Sequence, residues 1–358
     1  VEKDHAGIEM KMNRTTPFLS VVVITYNGAA TLARTLDSLL AQTYAANNYE
    51  IIVIDDGSTD ATPTIAATYP VRYVRQDNGG HSCARNAGIP VARGDVYVTF
   101  DDDCIAYPDL LSQLASGYDL GNPAGVGGYI TEPKPLQGLV AKYINATGHG
   151  TTQSFTATHG LWARFCNYIR TKLPSNAPMP ERIAVGELYG ANGSYPLDVL
   201  KEVNGWDIQM SGIEDRDLSY RIKARFPDRP LIAITKAKLI HDPKLTISKY
   251  LLRPWKRGPV NLRFHSVNNI KPPIFPFPIL TLASLFVLGL VDLRLLPAGI
   301  IVMPLGLYFW WPYRMVRERQ PVYILFAYVQ LSEELMVIAG LMRGYVKLRR
   351  EKVHAKTA

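Results

Sequence analysis

Cysteine is scarce in this chain of 358 residues: only Cys83, Cys104 and Cys166, none in C-x-x-C spacing. That excludes a disulfide framework and a cysteine-built zinc ribbon, and reads as free thiols in a reducing compartment. No G-x-x-x-x-G-K-[ST] occurs, and no G-x-G-x-x-G follows a strand, which disfavours an NTPase phosphate loop and a dinucleotide fingerprint. Internal repeats and low-complexity tracts are missing too. The first eighteen residues alternate charged and polar groups, with no signal-peptide pattern. Basic excess is absent from residues 1–247, which carry a net −3, whereas residues 248–358 carry +11 and so set the overall +8. Positive charge confined to the part that also holds long uncharged runs favours a membrane surface over nucleic acid.

What is present is alternation. "FLSVVVITYN", "YEIIVIDDGSTD", "VRYVRQ" and "DVYVTFDDD" read as buried strands, β-branched and apolar. Between them, "AATLARTLDSLLAQTY", "DATPTIAATY" and "SCARNAGIPVARG" read as helices, with Asp60 an N-cap and Gly94 a stop. "PDLLSQLASGY" is the next helix and "LIAITKAKLIHD" a late strand ending at His241 and Asp242. Such order predicts an α/β fold with a parallel sheet covered on both faces and ligands at the carboxyl ends of the strands. Residues 133–185 read as a long loop or an insertion.

Two uncharged runs follow, Pro272 to Val291 and Leu295 to Tyr313, each about as long as a bilayer core requires. Trp310, Trp311 and Tyr313 stand as an aromatic belt would, and the basic flanks "RPWKRG" and "RMVRER" place both ends of this hairpin inside. The third run, residues 322–342, has Glu333 and Glu334 near its centre. Two carboxylates in lipid cost several kcal/mol, so an interfacial helix is expected there.

Acidic residues cluster at strand ends. Asp101, Asp102 and Asp103 repel one another, and a hard divalent cation, Mg2+ or Mn2+, held by Asp101 and Asp103 would remove that repulsion. The plainer reading is a solvated acidic turn. Asp56, before Gly57, can accept hydrogen bonds from a base or ribose, although turn and capping chemistry explains part of "DDGSTD". Glu214 and Asp215 open a helix, where they complement its dipole. His81, His149 and His159 have no zinc-site spacing.

Five blocks in order, "LSVVVITYNGAATLARTLDSLLAQTY", "IIVIDDGSTDAT", "NGGHSCARNAGI", "GDVYVTFDDD" and "EDRDLSYRI", resemble the family 2 glycosyltransferases over roughly residues 18 to 245. The resemblance implies a GT-A fold, a nucleotide-sugar donor, a divalent metal and an inverting single displacement. By the same resemblance Tyr26 and Asp56 look like contacts to the donor base, and Arg85 a residue near the donor phosphates or first sugar. Asp102 looks like a contact to the sugar, and Asp101 and Asp103 the metal pair. Asp215 looks like the base that takes the acceptor proton. His241 is a further metal or diphosphate candidate, and Trp206 and Glu214 are acceptor-side candidates. The Q-x-x-R-W signature of processive synthases is absent: "LLRPWKRG" has Arg253 and Trp255 but no matching Gln.

The expected organisation is an N-terminal extension (1–17), a GT-A catalytic domain (18–247) and an amphipathic interfacial segment (248–271). A transmembrane hairpin (272–313) and a basic interfacial or third membrane helix with its tail (314–358) follow. The expected protein is a multi-pass plasma-membrane enzyme with a cytoplasmic catalytic domain. It would move a sugar to a lipid-linked or glycan acceptor in surface polysaccharide or glycolipid assembly. Expected partners are the donor, the acceptor and membrane lipids, with no nucleic acid and with oligomers allowed. The alternatives are a polyprenyl-phosphate sugar transferase, a processive polysaccharide synthase, a sugar nucleotidyltransferase and a non-catalytic membrane scaffold.

Overall fold

The computed structural model describes residues 16–119, 121–131, 138–147, 166, 168–169, 180–241, 246–273 and 275–357. His149, His159, Asp242, residues 1–15 of the extension and most of 133–185 lie outside them. In chain order the elements are β1 (Leu19–Thr25), α1 (Leu32–Leu40), β2 (Tyr49–Asp55), α2 (Thr62–Ala66), β3 (Arg72–Arg75), α3 (His81–Gly88), β4 (Val96–Asp101) and β5 (Cys104–Ala106). Next come α4 (Leu110–Ser116), β6 (Gly125–Thr131), α5 (Gly138–Thr147), β7 (Arg182–Ala184), β8 (Gly193–Pro196), α6 (Leu197–Glu202), α7 (Glu214–Arg225) and β9 (Leu231–His241). Helices α8 (Ile247–Val267), α9 (Pro276–Val291), α10 (Leu296–Leu307), α11 (Trp310–Glu318) and α12 (Tyr323–Thr357) complete the chain.

Two compact units form: one from 1–133, 150–156 and 179–243, the other from 134–149, 157–178 and 244–358. The first is built on one sheet in the order β3-β2-β1-β4-β8-β6-β9-β5, with β7 added on β9. Alternate residues of each central strand point to opposite faces. Val21, Val23, Val53 and Val98 therefore meet Leu32, Leu36 and Leu39 of α1 and Leu110 and Leu114 of α4. On the other face Val22, Ile24, Ile52 and Tyr97 meet Ala84 of α3, Leu200 of α6 and Leu218 and Ile222 of α7. Burial on both faces is why these strands read as unbroken apolar runs.

The β3-β2-β1-β4 half is parallel, as the alternation predicts. Beyond β4 the sheet is mixed. β8 runs antiparallel to β4 and β6, and β5 and β7 run antiparallel to β9, while β6 and β9 are parallel. The site therefore has two sources: the carboxyl ends of the parallel strands, and the turn from β4 into β5.

The second unit is helical, around Tyr143, Tyr250, Phe277, Tyr308, Trp310, Trp311 and Phe326. Trp310 and Trp311 differ from the expected belt. Both are buried, and both indole N–H groups donate to Gln330 Oε1, at 3.1 and 2.7 Å. The acidic pair also has an interior role. Tyr143 and Tyr250 donate to Glu333 at 2.9 and 2.7 Å, while Tyr308, at 2.9 Å, and Tyr168 donate to Glu334.

Among the described helices, one stretch, Tyr323–Arg350, is long and apolar enough to cross a membrane. Leu293–Leu307 with Trp310–Glu318 makes a second if that pair, bent by 72°, is one span. The run assigned to the first arm of the hairpin forms the shorter helix α9. The third run, expected at the interface, is thus the one with the length to span.

Candidate active site

The β1–β2 register pairs Thr25 with Asp55, and Asp56 N donates to Thr25 O at 2.9 Å. The chain leaves both strands side by side, through Tyr26 on one and Asp56 on the other. Tyr26 is half exposed. Asp56 is buried and holds the loop that follows β3. Gln76 Nε2 and the Gly79 and Gly80 amides donate to it at 2.6, 2.9 and 2.8 Å. Gly57 turns the chain at φ 84°, where a side chain would be strained. This side of the site is a hydrogen-bonded wall with Tyr26 half exposed beside it.

The three adjacent aspartates have three different partners. Asp101, ending β4, pairs with Arg85 at 3.0 Å. Asp102 accepts from the Thr25 hydroxyl and packs over Gly28, where any side chain would collide with it. Burial pushes the Asp102 carboxyl up to about 6, against the Thr25 bond and with help from Asp103 and Asp101. Asp103 Oδ1 lies 3.2 Å from His241 Nε2. Burial raises this carboxyl too, but the hydrogen bond and charge of His241 outweigh burial and hold it below the usual range. Thr35, buried on α1, fixes the turn. Its hydroxyl lies 2.7 and 2.8 Å from the Asp102 and Cys104 carbonyl oxygens.

A divalent ion fits part of this arrangement. Asp103, Cys104 and His241 bring a carboxylate oxygen, a thiol and an imidazole nitrogen within 4.8 Å of one another. Asp101 stands apart from that group, with its carboxylate turned to Arg85.

The second acidic group sits at the start of α7. Arg85, almost wholly buried on α3, reaches Glu214 at 3.3 Å and Asp215 at 3.4 Å with Nη1, while Nη2 holds Asp101. One guanidinium thus joins carboxylates 114 positions apart in sequence. Burial works against its charge, but the three carboxylates hold the Arg85 proton more tightly than usual. Asp215 Oδ2 accepts from Gly190 N at 2.8 Å, and Oδ1 from the Trp206 indole at 3.4 Å. Burial pushes the Asp215 carboxyl up to about 6. Arg85 opposes that rise and Glu214 adds to it. A carboxylate with such an affinity can take a proton near neutral pH.

Trp206 is a core residue whose polar edge faces the site. Its ring packs against Tyr97 and Tyr195, at centroid distances of 5.7 and 6.0 Å. Asn86 clamps its backbone, accepting from Trp206 N at 2.8 Å and donating to Trp206 O at 2.7 Å. His81 lies 3.9 Å from Glu214. The residues that the sequence points to thus form three groups, of which Tyr26 with Asp56 is one and Arg85 with Asp101, Glu214, Asp215 and Trp206 the second. Asp103 with His241 forms a third, adjacent in sequence to the second. Thr35, Asn86, Cys104 and Gly190 were not selected. Asn86 was legible beside Arg85 and Cys104 beside Asp103. A glycine such as Gly190 leaves no signal until its neighbours are placed: a Cβ there would press on Arg85 and Asp215.

Residues 20–171 match the family model described as "Glycosyl transferase family 2". Over 142 residues the chain is 32% identical to glycosyltransferase AglE of Haloferax volcanii, covering 37% of this chain and 45% of that protein. Over 107 residues it is 40% identical to the succinoglycan biosynthesis protein ExoO of Rhizobium meliloti, covering 29% and 30%. The match spans less than half the length of each of these curated relatives. Among solved structures it is similar in fold to the mannosyltransferase PcManGT from Pyrobaculum calidifontis, in complex with GDP-Man and Mn2+. The TM-score is 0.55 at 16% identity, over 91% of this chain and 87% of that one.

Proposed function

We propose, from the match of residues 20–171 to the family 2 glycosyltransferase model and from a fold similar to a known glycosyltransferase, a membrane-associated inverting transferase of GT-A fold. It moves one sugar from a nucleotide-sugar donor to a lipid-linked or glycan acceptor in surface polysaccharide or glycolipid assembly. The observation that carries this reading is Arg85, which holds Asp215 beside the end of β4 although the two lie far apart in sequence. A direct displacement needs a base placed opposite a leaving group, and the base must come from a different element than the donor site.

Tyr26 and Asp56 line the donor base, Arg85 and Asp102 the diphosphate and sugar. Arg85 Nε–H, buried with no partner among the described residues, supports a further role for this side chain toward a bound group. Asp103 and His241 would hold the divalent ion, Mg2+ or Mn2+, which when bound supplies positive charge against the leaving diphosphate. Asp215 accepts the proton of the attacking acceptor hydroxyl at one carboxylate oxygen while Gly190 N–H and the Trp206 indole hold its orientation. Names among the relatives, a mannosyltransferase and a succinoglycan biosynthesis protein, support sugar transfer into a glycan. The apolar helices and the net charge of +11 after residue 247 support a membrane location.

The test is a donor screen on the purified full chain with Mn2+, measuring released nucleotide with lipid-linked sugars and with polyprenyl phosphate as acceptors. Nucleotide release that depends on a lipid-linked sugar supports the reading. Release only with polyprenyl phosphate reassigns the acceptor. No turnover with any donor returns the chain to the scaffold alternative.

A further inference from the structure

Resting on the reading of a divalent ion beside Asp103, we propose that Cys104 is a third protein donor to that ion. The site then takes a thiophilic dication of the Zn2+, Co2+ and Cd2+ class more tightly than Mg2+. The placement follows from strand register. β5 runs antiparallel to β9 with Cys104 directly opposite His241, and residues directly opposite one another project to the same face. Thiol and imidazole therefore share one face. Asp103, one residue earlier in the turn that Thr35 fixes, reaches the same point.

Two of the three donor separations are close to those of a four-coordinate ion, and the third, Cys104 to His241, is within 4.8 Å. Metal–oxygen and metal–nitrogen bonds of about 2.0–2.2 Å and a metal–sulfur bond of about 2.3 Å, at tetrahedral angles, separate the donors by about 3.4 Å (N to O) and about 3.6 Å (S to O). The observed separations are 3.2 Å from Asp103 Oδ1 to His241 Nε2 and 3.8 Å from Asp103 Oδ1 to Cys104 Sγ. A carboxylate, imidazole and thiolate set suits zinc-like ions, whereas Mg2+ demands an octahedron of oxygens. Three protein donors leave a fourth position for a substrate oxygen, the arrangement of catalytic rather than structural sites. Coordination takes the proton from the thiol and delivers it to solvent.

The experiment uses the whole 358-residue chain in detergent with Co2+ as the probe and no nucleotide. A thiolate-to-cobalt charge-transfer band in the near ultraviolet, with strong visible bands of four-coordinate cobalt, is expected. Cys104→Ser should lose the ultraviolet band and weaken Zn2+ binding by about tenfold or more while leaving weak Mg2+ binding unchanged. The paired Cys83→Ser and Cys166→Ser changes should keep the band. X-ray absorption of the cobalt-loaded wild type needs no variant that could misfold, and should show one sulfur at about 2.3 Å. A spectrum without sulfur, or a band that survives Cys104→Ser, overturns the proposal. Sugar transfer with Mn2+ on the same preparation separates the two readings. Transfer without a sulfur ligand rejects Cys104 alone, and a sulfur ligand with no transfer from any donor rejects the enzyme and keeps the site.

Discussion

At Asp215 two opposing influences meet. Burial and Glu214 favour the neutral acid, and Arg85 favours the carboxylate, with the balance at about 6. A base works only when ionised, so kcat/KM is expected to fall as pH drops through about 6. Glu214→Gln removes a like charge, so the acidic limb should move to lower pH, which a pH–rate profile reads directly. Asp215→Asn should lower kcat by about 10²–10⁴-fold with donor affinity retained, as general-base removal does. Transfer that survives this change intact would place the base elsewhere. Arg85 marks the limit of legibility at this scale. The family resemblance implies a place near the donor phosphates, and its observed partners are three carboxylates, two of them on a helix that no local pattern connects to α3. The sequence points to Asp101 with Asp103 as a metal pair, and the family resemblance adds His241; the structure sets Asp103 beside His241 and turns Asp101 to Arg85.

Among the elements, α12 is organised by a stripe of Gln330, Glu333 and Glu334, spaced i, i+3 and i+4 on one face. Gln330 accepts from two indoles and donates to Glu334 at 2.9 Å. Gln330→Leu would leave both buried indole donors unmatched, so a loss of about 1–3 kcal/mol is expected in denaturant unfolding of the detergent-solubilised protein. Unchanged stability would mean that the indoles find other acceptors. Helices α8 and α12 meet backbone to backbone, since a Cβ at Gly258 would run into Gly340. Gly340→Leu should therefore separate the pair and destabilise this unit. These contacts explain what the sequence could not convey. A hydropathy pattern weighs glutamates against lipid, whereas here tyrosines from outside α12, and Gln330 within it, supply their hydrogen bonds. Tryptophans after an apolar run resemble a belt until a glutamine one helix later is seen to receive both. The parallel strands were readable because burial on both faces leaves unbroken apolar runs. The antiparallel entry of β8 was not, because four residues with two small side chains carry little pattern.

Over the whole molecule, charge and apolar surface coincide in the second unit. Leu282, Phe286, Leu290, Ile301 and Val302 are exposed on α9 and α10, and the Lys and Arg excess lies in the same part of the chain. This chain is expected to float with anionic vesicles. Raised salt should weaken that association without abolishing it, because screening acts on the charges and not on apolar burial. Release at high salt would show that electrostatics alone hold it.

The pairing of β5 with β9 also sets a timetable for synthesis. Cys104 leaves the ribosome well over a hundred residues before its cross-strand neighbour His241, and Arg85 as far ahead of Asp215. A nascent chain therefore holds Arg85 with Asp101 as its one carboxylate partner until α7 emerges, and its acidic turn lacks the imidazole of His241 until β9 follows.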